Sequence, residues 1–131
     1  MNTVDTNILL RSLLKDDPVQ SPKAQHKLEN LIANGGIFIS SFSLLELSWM
    51  LGTKKKTRVE IYQAVRNLLE ADGVTVGSPA IIFSALEFFK TSNIGFEDCL
   101  ILAESLNSGS SHLYTFDKDF SKSHEHCKSV S

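Results

Sequence analysis

Residues 36–51 read GIFISSFSLLELSWML, and this stretch contains both of the periodicities from which the chain is built. Gly36-Ile37-Phe38-Ile39-Ser40 is a short β-branched and aromatic run bounded by turn-forming residues, the signature of a brief buried strand. From Phe42 to Leu51 the apolar residues recur at helical spacing. A strand of about five residues is therefore followed almost at once by a helix of about ten.

The same alternation recurs in both directions. Upstream, Thr3-Val4 begins a first strand. Downstream, Gly73-Val74-Thr75-Val76-Gly77 reads as a third and His112-Leu113-Tyr114-Thr115-Phe116 as a fourth, with a weaker strand near Lys128 to Val130. Helical spacing covers Asn7 to Leu14, Pro22 to Ala33, Thr57 to Ala71, Pro79 to Lys90 and Phe96 to Leu106. Pro22 and Pro79 suit first-turn positions, with Ser21 and Ser78 as the caps before them. Strands separated by helices imply an α/β fold, a parallel sheet covered on both faces. The 131 residues suit one domain, residues 1–131, large enough for its own core.

Composition narrows the class. Hydrophobic residues make up 42% and charged residues 21% of the chain, with eight Phe, which is ordinary for a globular domain. Cys99 and Cys127 are too few for a disulfide framework and lack the paired spacing of a zinc site, so a reduced, cytoplasmic chain is expected. No apolar run approaches the roughly 18 residues of a membrane helix, and no export signal opens the sequence. The net charge of -2 speaks against broad electrostatic capture of nucleic acid. It leaves room for a local site in which metal ions supply the positive charge.

Four acids stand out. In open parallel sheets, ligand sites form at the carboxyl ends of the strands, and Asp5 and Asp117 each follow a strand directly. Glu46 has Phe42, Trp49 and Met50 as its helical neighbours, an apolar face expected to turn it into a pocket at the sheet's edge; solvation at the surface is the alternative. Asp98 has Ile101 and Leu102 three and four residues on, although an acid at a helix start also simply complements the helix dipole. Carboxylates within about 5 Å of one another repel by a few kcal/mol and call for a cation. Mg2+ or Mn2+ fits, because both take oxygen ligands and keep positions open for water and phosphate oxygens. The chemistry that follows is phosphodiester hydrolysis.

The segments VDTNILLR, SLLELSWML, GFEDCLILA and LYTFDKDF resemble the four acidic motifs of the PIN domain family, and more closely its VapC-type toxins from bacterial toxin-antitoxin systems. The match runs from Asp5 to Asp117. The resemblance implies a three-layer α/β/α sandwich with a central parallel sheet of four to five strands. It also implies an Mg2+- or Mn2+-dependent endoribonuclease held in check by a cognate antitoxin, and usually a homodimer. It assigns Asp5, Glu46, Asp98 and Asp117 to the catalytic metal site. Asn7 would orient the first carboxylate, and Thr115 would be the hydroxyl residue before the fourth acid. The first strand is shorter than the family pattern, and HEHC near the C-terminus has no place in it.

Other features have plainer readings. Asp119 either shares the metal site or is a solvated helix-start residue, the second being favoured. Asp16 and Asp17 are turn residues. Arg11 either reaches an RNA phosphate or makes a surface ion pair. Lys54, Lys55, Lys56 and Arg58 form the one concentrated basic stretch, either an RNA contact or a solvated loop. His124, His126 and Cys127 read as an inert tail rather than a zinc site. Two other classes compete with a nuclease. A small-molecule phosphohydrolase with an aspartyl intermediate wants a second acid where Asn7 stands. A PIN-like scaffold that only binds partners would keep the acids without turnover.

Overall fold

A computed structural model describes residues 1–130. Their contacts cluster into two compact units, Met1–Gly77 and Ser78–Ser131.

The first unit contains β1 (Asn2–Thr3), α1 (Thr6–Leu14), α2 (Gln20–Ala33), β2 (Ile37–Ile39), α3 (Ser41–Thr53), α4 (Arg58–Glu70) and β3 (Val74–Val76). Its strands form one parallel sheet in the order β1-β2-β3, with Asn2 opposite Ile37 and Ile37 opposite Val74. The quoted stretch behaves as its pattern requires. Ser40 ends the strand and caps α3, its side chain accepting from the Ser43 N–H at 3.1 Å. Leu44, Leu47, Ser48 and Leu51 form the buried stripe of α3, and fully burying each such leucine contributes about 1.5–3 kcal/mol. They join Leu9, Leu10, Ile37, Ile39 and Val65 in the core.

Gly36 shows why a glycine opens β2. Its φ is +85°, and a Cβ there would lie 2.7 Å from the Gly73 carbonyl oxygen. That carbonyl accepts from the Ile37 N–H at 2.8 Å, fixing the start of the β2–β3 ladder.

The second unit contains α5 (Pro79–Thr91), α6 (Phe96–Ser108), β4 (Leu113–Thr115), α7 (Lys118–Lys122) and β5 (Cys127–Ser129). The two helices pack against each other, with Phe89 and Phe96 in edge contact at 5.9 Å between ring centroids. β4 and β5 pair in parallel, Leu113 opposite Cys127. The architecture is α/β and every ladder among the described residues is parallel; the five strands pair as three and two.

Two details differ from the sequence reading. α2 starts at Gln20, so Ser21 lies inside the helix and is buried rather than capping it. Asp17 does the capping instead, accepting from the N–H groups of Val19 at 2.9 Å and Gln20 at 2.7 Å; those two bonds hold its carboxyl below the ordinary range. Ser78 occupies the cap position of α5, but in a left-handed conformation with no side-chain cap bond. Pro79, whose missing N–H needs no partner there, carries the start alone.

Candidate active site

In the first unit the chain leaves β1 and turns at once into α1, and Asp5 makes the turn. It is exposed, and its Oδ1 accepts from the Ile8 N–H at 3.2 Å, capping the helix. The next residue, Thr6, is buried, and its hydroxyl donates to Glu46 Oε1 at 2.8 Å. Two acids from segments 40 positions apart are thus tied together by a threonine whose own neighbour is one of them.

Glu46 itself is not on the inward face of α3. It is exposed, as are Phe42 at 66% and Trp49 at 67%. The expectation that an apolar face turns this carboxylate into a pocket at the sheet's edge gives way to its alternative, exposure at the surface: α3 is apolar nearly all round, so the residues flanking Glu46 did not reveal which stripe would be buried. The leucines at 44, 47 and 51 take the core.

Asn7 is exposed and lines a groove of about 310 Å3 together with Ile8, Arg11, Lys23 and Lys27. The hydrogen bond on the Asp5 carboxylate comes from the Ile8 backbone, not from Asn7. Arg11 makes the surface ion pair, with Nη1 at 3.3 Å from Asp16 Oδ1, a kind of contact worth about 0–1 kcal/mol. Lys54, Lys55 and Lys56 are exposed in the α3–α4 connection, Lys55 with a φ of 62°, and Arg58 is the half-buried first residue of α4.

In the second unit Asp98 is the third residue of α6 and half-buried. Burial raises its pKa, and the neighbouring charges of Glu97 and Asp117 raise it further. Asp117 caps α7, accepting from the Phe120 N–H at 2.8 Å, while its own N–H donates to Thr115 Oγ1 at 3.0 Å. Thr115 therefore fixes the backbone that carries the fourth acid. Asp119 is exposed in the first turn of α7.

The HEHC stretch is not an inert tail. His126 and Cys127 are buried, and Cys127 begins β5. His126 Nε2 lies 2.9 Å from Ser105 Oγ, and His124 Nδ1 accepts from the His126 N–H at 3.0 Å.

The donor chemistry suits a hard divalent cation. Asp98 and Asp117 crowd each other's charge, and in the first unit Asp5, Thr6 and Glu46 present only oxygen atoms. Among the described residues, no group of three or more His, Cys, Asp or Glu side chains stands close enough together to hold a metal ion; the fit is that of acid pairs. The sequence did not single out Thr6, which holds Glu46, nor Lys23 and Lys27, which line the groove beside Asn7. A hydroxyl directly after the first acid was the available signal for Thr6, whereas α2's lysines carried none.

Comparison with known proteins gives a consistent family. A family model described as the PIN domain matches residues 3–124. No curated protein matches the chain. Among solved structures, the chain is similar to Mycobacterium tuberculosis VapC20, described as a sarcin-ricin loop cleaving toxin. The identity is 21% and the TM-score 0.45, over 92% of this chain and 93% of that one. A likeness at that level decides nothing about substrate.

Proposed function

The chain belongs to the PIN domain family, and from that premise we propose that it is a divalent-metal-dependent endoribonuclease, the toxin of a VapBC-type toxin-antitoxin pair. Its carboxylates are Asp5 and Glu46 of the first unit and Asp98 and Asp117 of the second. The observation that carries the reading is that half-buried Asp98 stands near two further acids, Glu97 and Asp117, which together with burial push its pKa up. Carboxylates perturbed in this way cluster at functional sites.

On the family reading, the pair Asp5 and Glu46 and the pair Asp98 and Asp117 are the carboxylates that would hold Mg2+ or Mn2+. When bound, the metal lowers the pKa of an attacking water and stabilises charge on the phosphate oxygens. The chain's own residues supply the geometry. Thr6 holds one oxygen of Glu46 and leaves the other for a ligand. Thr115 and the α7 cap fix the backbone of Asp117. The N-terminal end of α6 offsets part of the negative charge at Asp98. Lys54, Lys55, Lys56 and Arg58 are the proposed contacts to RNA backbone, with Arg11 available to a phosphate only by leaving Asp16.

The reading extends to a cognate antitoxin as partner, a homodimer as the working form, and a cytoplasmic location. No helix among the described residues is long and apolar enough to cross a membrane.

The test is cleavage of RNA by the purified protein with Mn2+, beside Asp5→Asn and Glu46→Gln. Losing one carboxylate from a metal site is expected to lower the rate on the order of 100-fold or more, with the far-ultraviolet dichroism unchanged. Cleavage by either variant at the parent rate overturns the assignment of these carboxylates, and absence of cleavage by the parent protein leaves a PIN scaffold that binds without turnover.

A further inference from the structure

The outer face of α3 is the least explained surface of the first unit. Phe42 and Trp49 lie four residues before and three after Glu46, so the three side chains share one side of the helix. Both rings are about two thirds exposed, 66% and 67%, while the core is served by the opposite stripe of Leu44, Leu47 and Leu51. Packing within the unit therefore does not account for them.

The pattern is not confined to one helix. The chain has eight Phe, two Tyr and one Trp. The four most exposed are Trp49, Phe42, Tyr114 at 67% and Phe116 at 81%. Each lies within four residues of one of the four site acids: two flank Glu46, and two precede Asp117 on and just after β4. The remaining aromatics are at least partly covered. Exposed aromatic rings thus accompany a site acid in each unit.

We propose that Phe42 and Trp49 form a stacking platform beside Glu46 on which unpaired bases of an RNA substrate are held. The proposal rests on the ribonuclease reading. Single-stranded RNA is recognised chiefly by stacking splayed bases on aromatic side chains, and every base has a face to offer. A ring two thirds exposed is ready for this without rearrangement. The competing occupant, a second copy of the chain, fits less well. It would cover the Glu46 carboxylate among aromatic rings, and burying a charge there without a cation is costly. A stacked base leaves the carboxylate open at the ring's edge.

Trp49 is the sole tryptophan, so its emission reports this face alone. The experiment titrates the full chain, in EDTA to prevent turnover, with single-stranded oligoadenylate and with a duplex RNA of equal length. In parallel, anisotropy of the labelled oligonucleotide reports binding. Saturable quenching by the single strand and little by the duplex is expected. Phe42→Ala and Trp49→Ala are expected to weaken oligoadenylate binding about tenfold each, and Trp49→Phe to restore most of it. Both side chains are exposed, and retained dichroism checks the fold.

Binding by anisotropy without a change in Trp49 emission overturns the platform and leaves the ribonuclease reading standing, since that reading falls on the Asp5 and Glu46 variants instead. Emission that follows protein concentration and ignores RNA also overturns it, and assigns the face to a second copy. Absence of any single-strand binding overturns it as well.

Discussion

Asp98 carries the clearest electrostatic cost in the chain. Its pKa is raised above the ordinary carboxylate value, by burial first and by Glu97 and Asp117 after. With the folded value above the unfolded one, the unfolded chain gives up its proton first as pH rises. This group therefore lowers stability progressively between the unfolded and folded pKa values, and the cost is fully present at neutral pH. Asp98→Asn is expected to melt at a higher temperature than the parent at pH 7 in EDTA, with the gap narrowing toward pH 4. A variant less stable at both values would contradict the assignment. At this scale the sequence was partly readable. Asp5 and Asp117 announce themselves by following strands. Thr6 did not, because a hydroxyl in a first helical turn ordinarily bonds locally, whereas this one reaches Glu46 from 40 positions away. The side of α3 on which Glu46 sits was misread for want of a polar stripe to orient the helix.

Among the elements, β2 is the most tightly specified. Gly36 needs both a left-handed backbone and room beneath the Gly73 carbonyl. Gly36→Ala is expected to cost on the order of 1–3 kcal/mol, read as a lower urea midpoint with an unchanged slope. Gly109→Ala is the control: its φ of +80° is similar, but nothing lies within 4 Å of a Cβ there, so only the backbone strain remains. The elements were legible where chemistry is local. Glycines and serines bracket β2, and Thr57 forms a capping box with Glu60 at the start of α4. The start of α2 was misplaced because Ser-Pro is a good local cap, yet Asp17 captures two earlier N–H groups and begins the helix sooner. β5 was weak in the sequence because its residues, Cys127 to Ser129, carry little strand preference; pairing with β4 supplies it.

For the whole chain, the order of strands and helices was readable and the division of contacts into two units was not. The boundary falls between Gly77 and Ser78, in the two-residue connection from β3 to α5, with no linker composition to mark it. The molecule's thiols give a global measure of its integrity. Cys99 and Cys127 are both buried and outside any disulfide, and burial pushes the Cys127 thiol up despite a contact with Ser123. Neither is expected to react with an aromatic disulfide reagent until the chain unfolds, when two equivalents should appear; reductant should leave the melting temperature unchanged. Rapid reaction of the native protein would contradict this packing. Each unit also starts one helix on one of the proposed site acids, α1 on Asp5 and α7 on Asp117. Asparagine caps a helix as well as aspartate does, and the two codons differ by a single base. Under the proposed assignment, a single-base change at either position is therefore expected to silence cleavage while leaving the fold in place, a short mutational route to an inert protein.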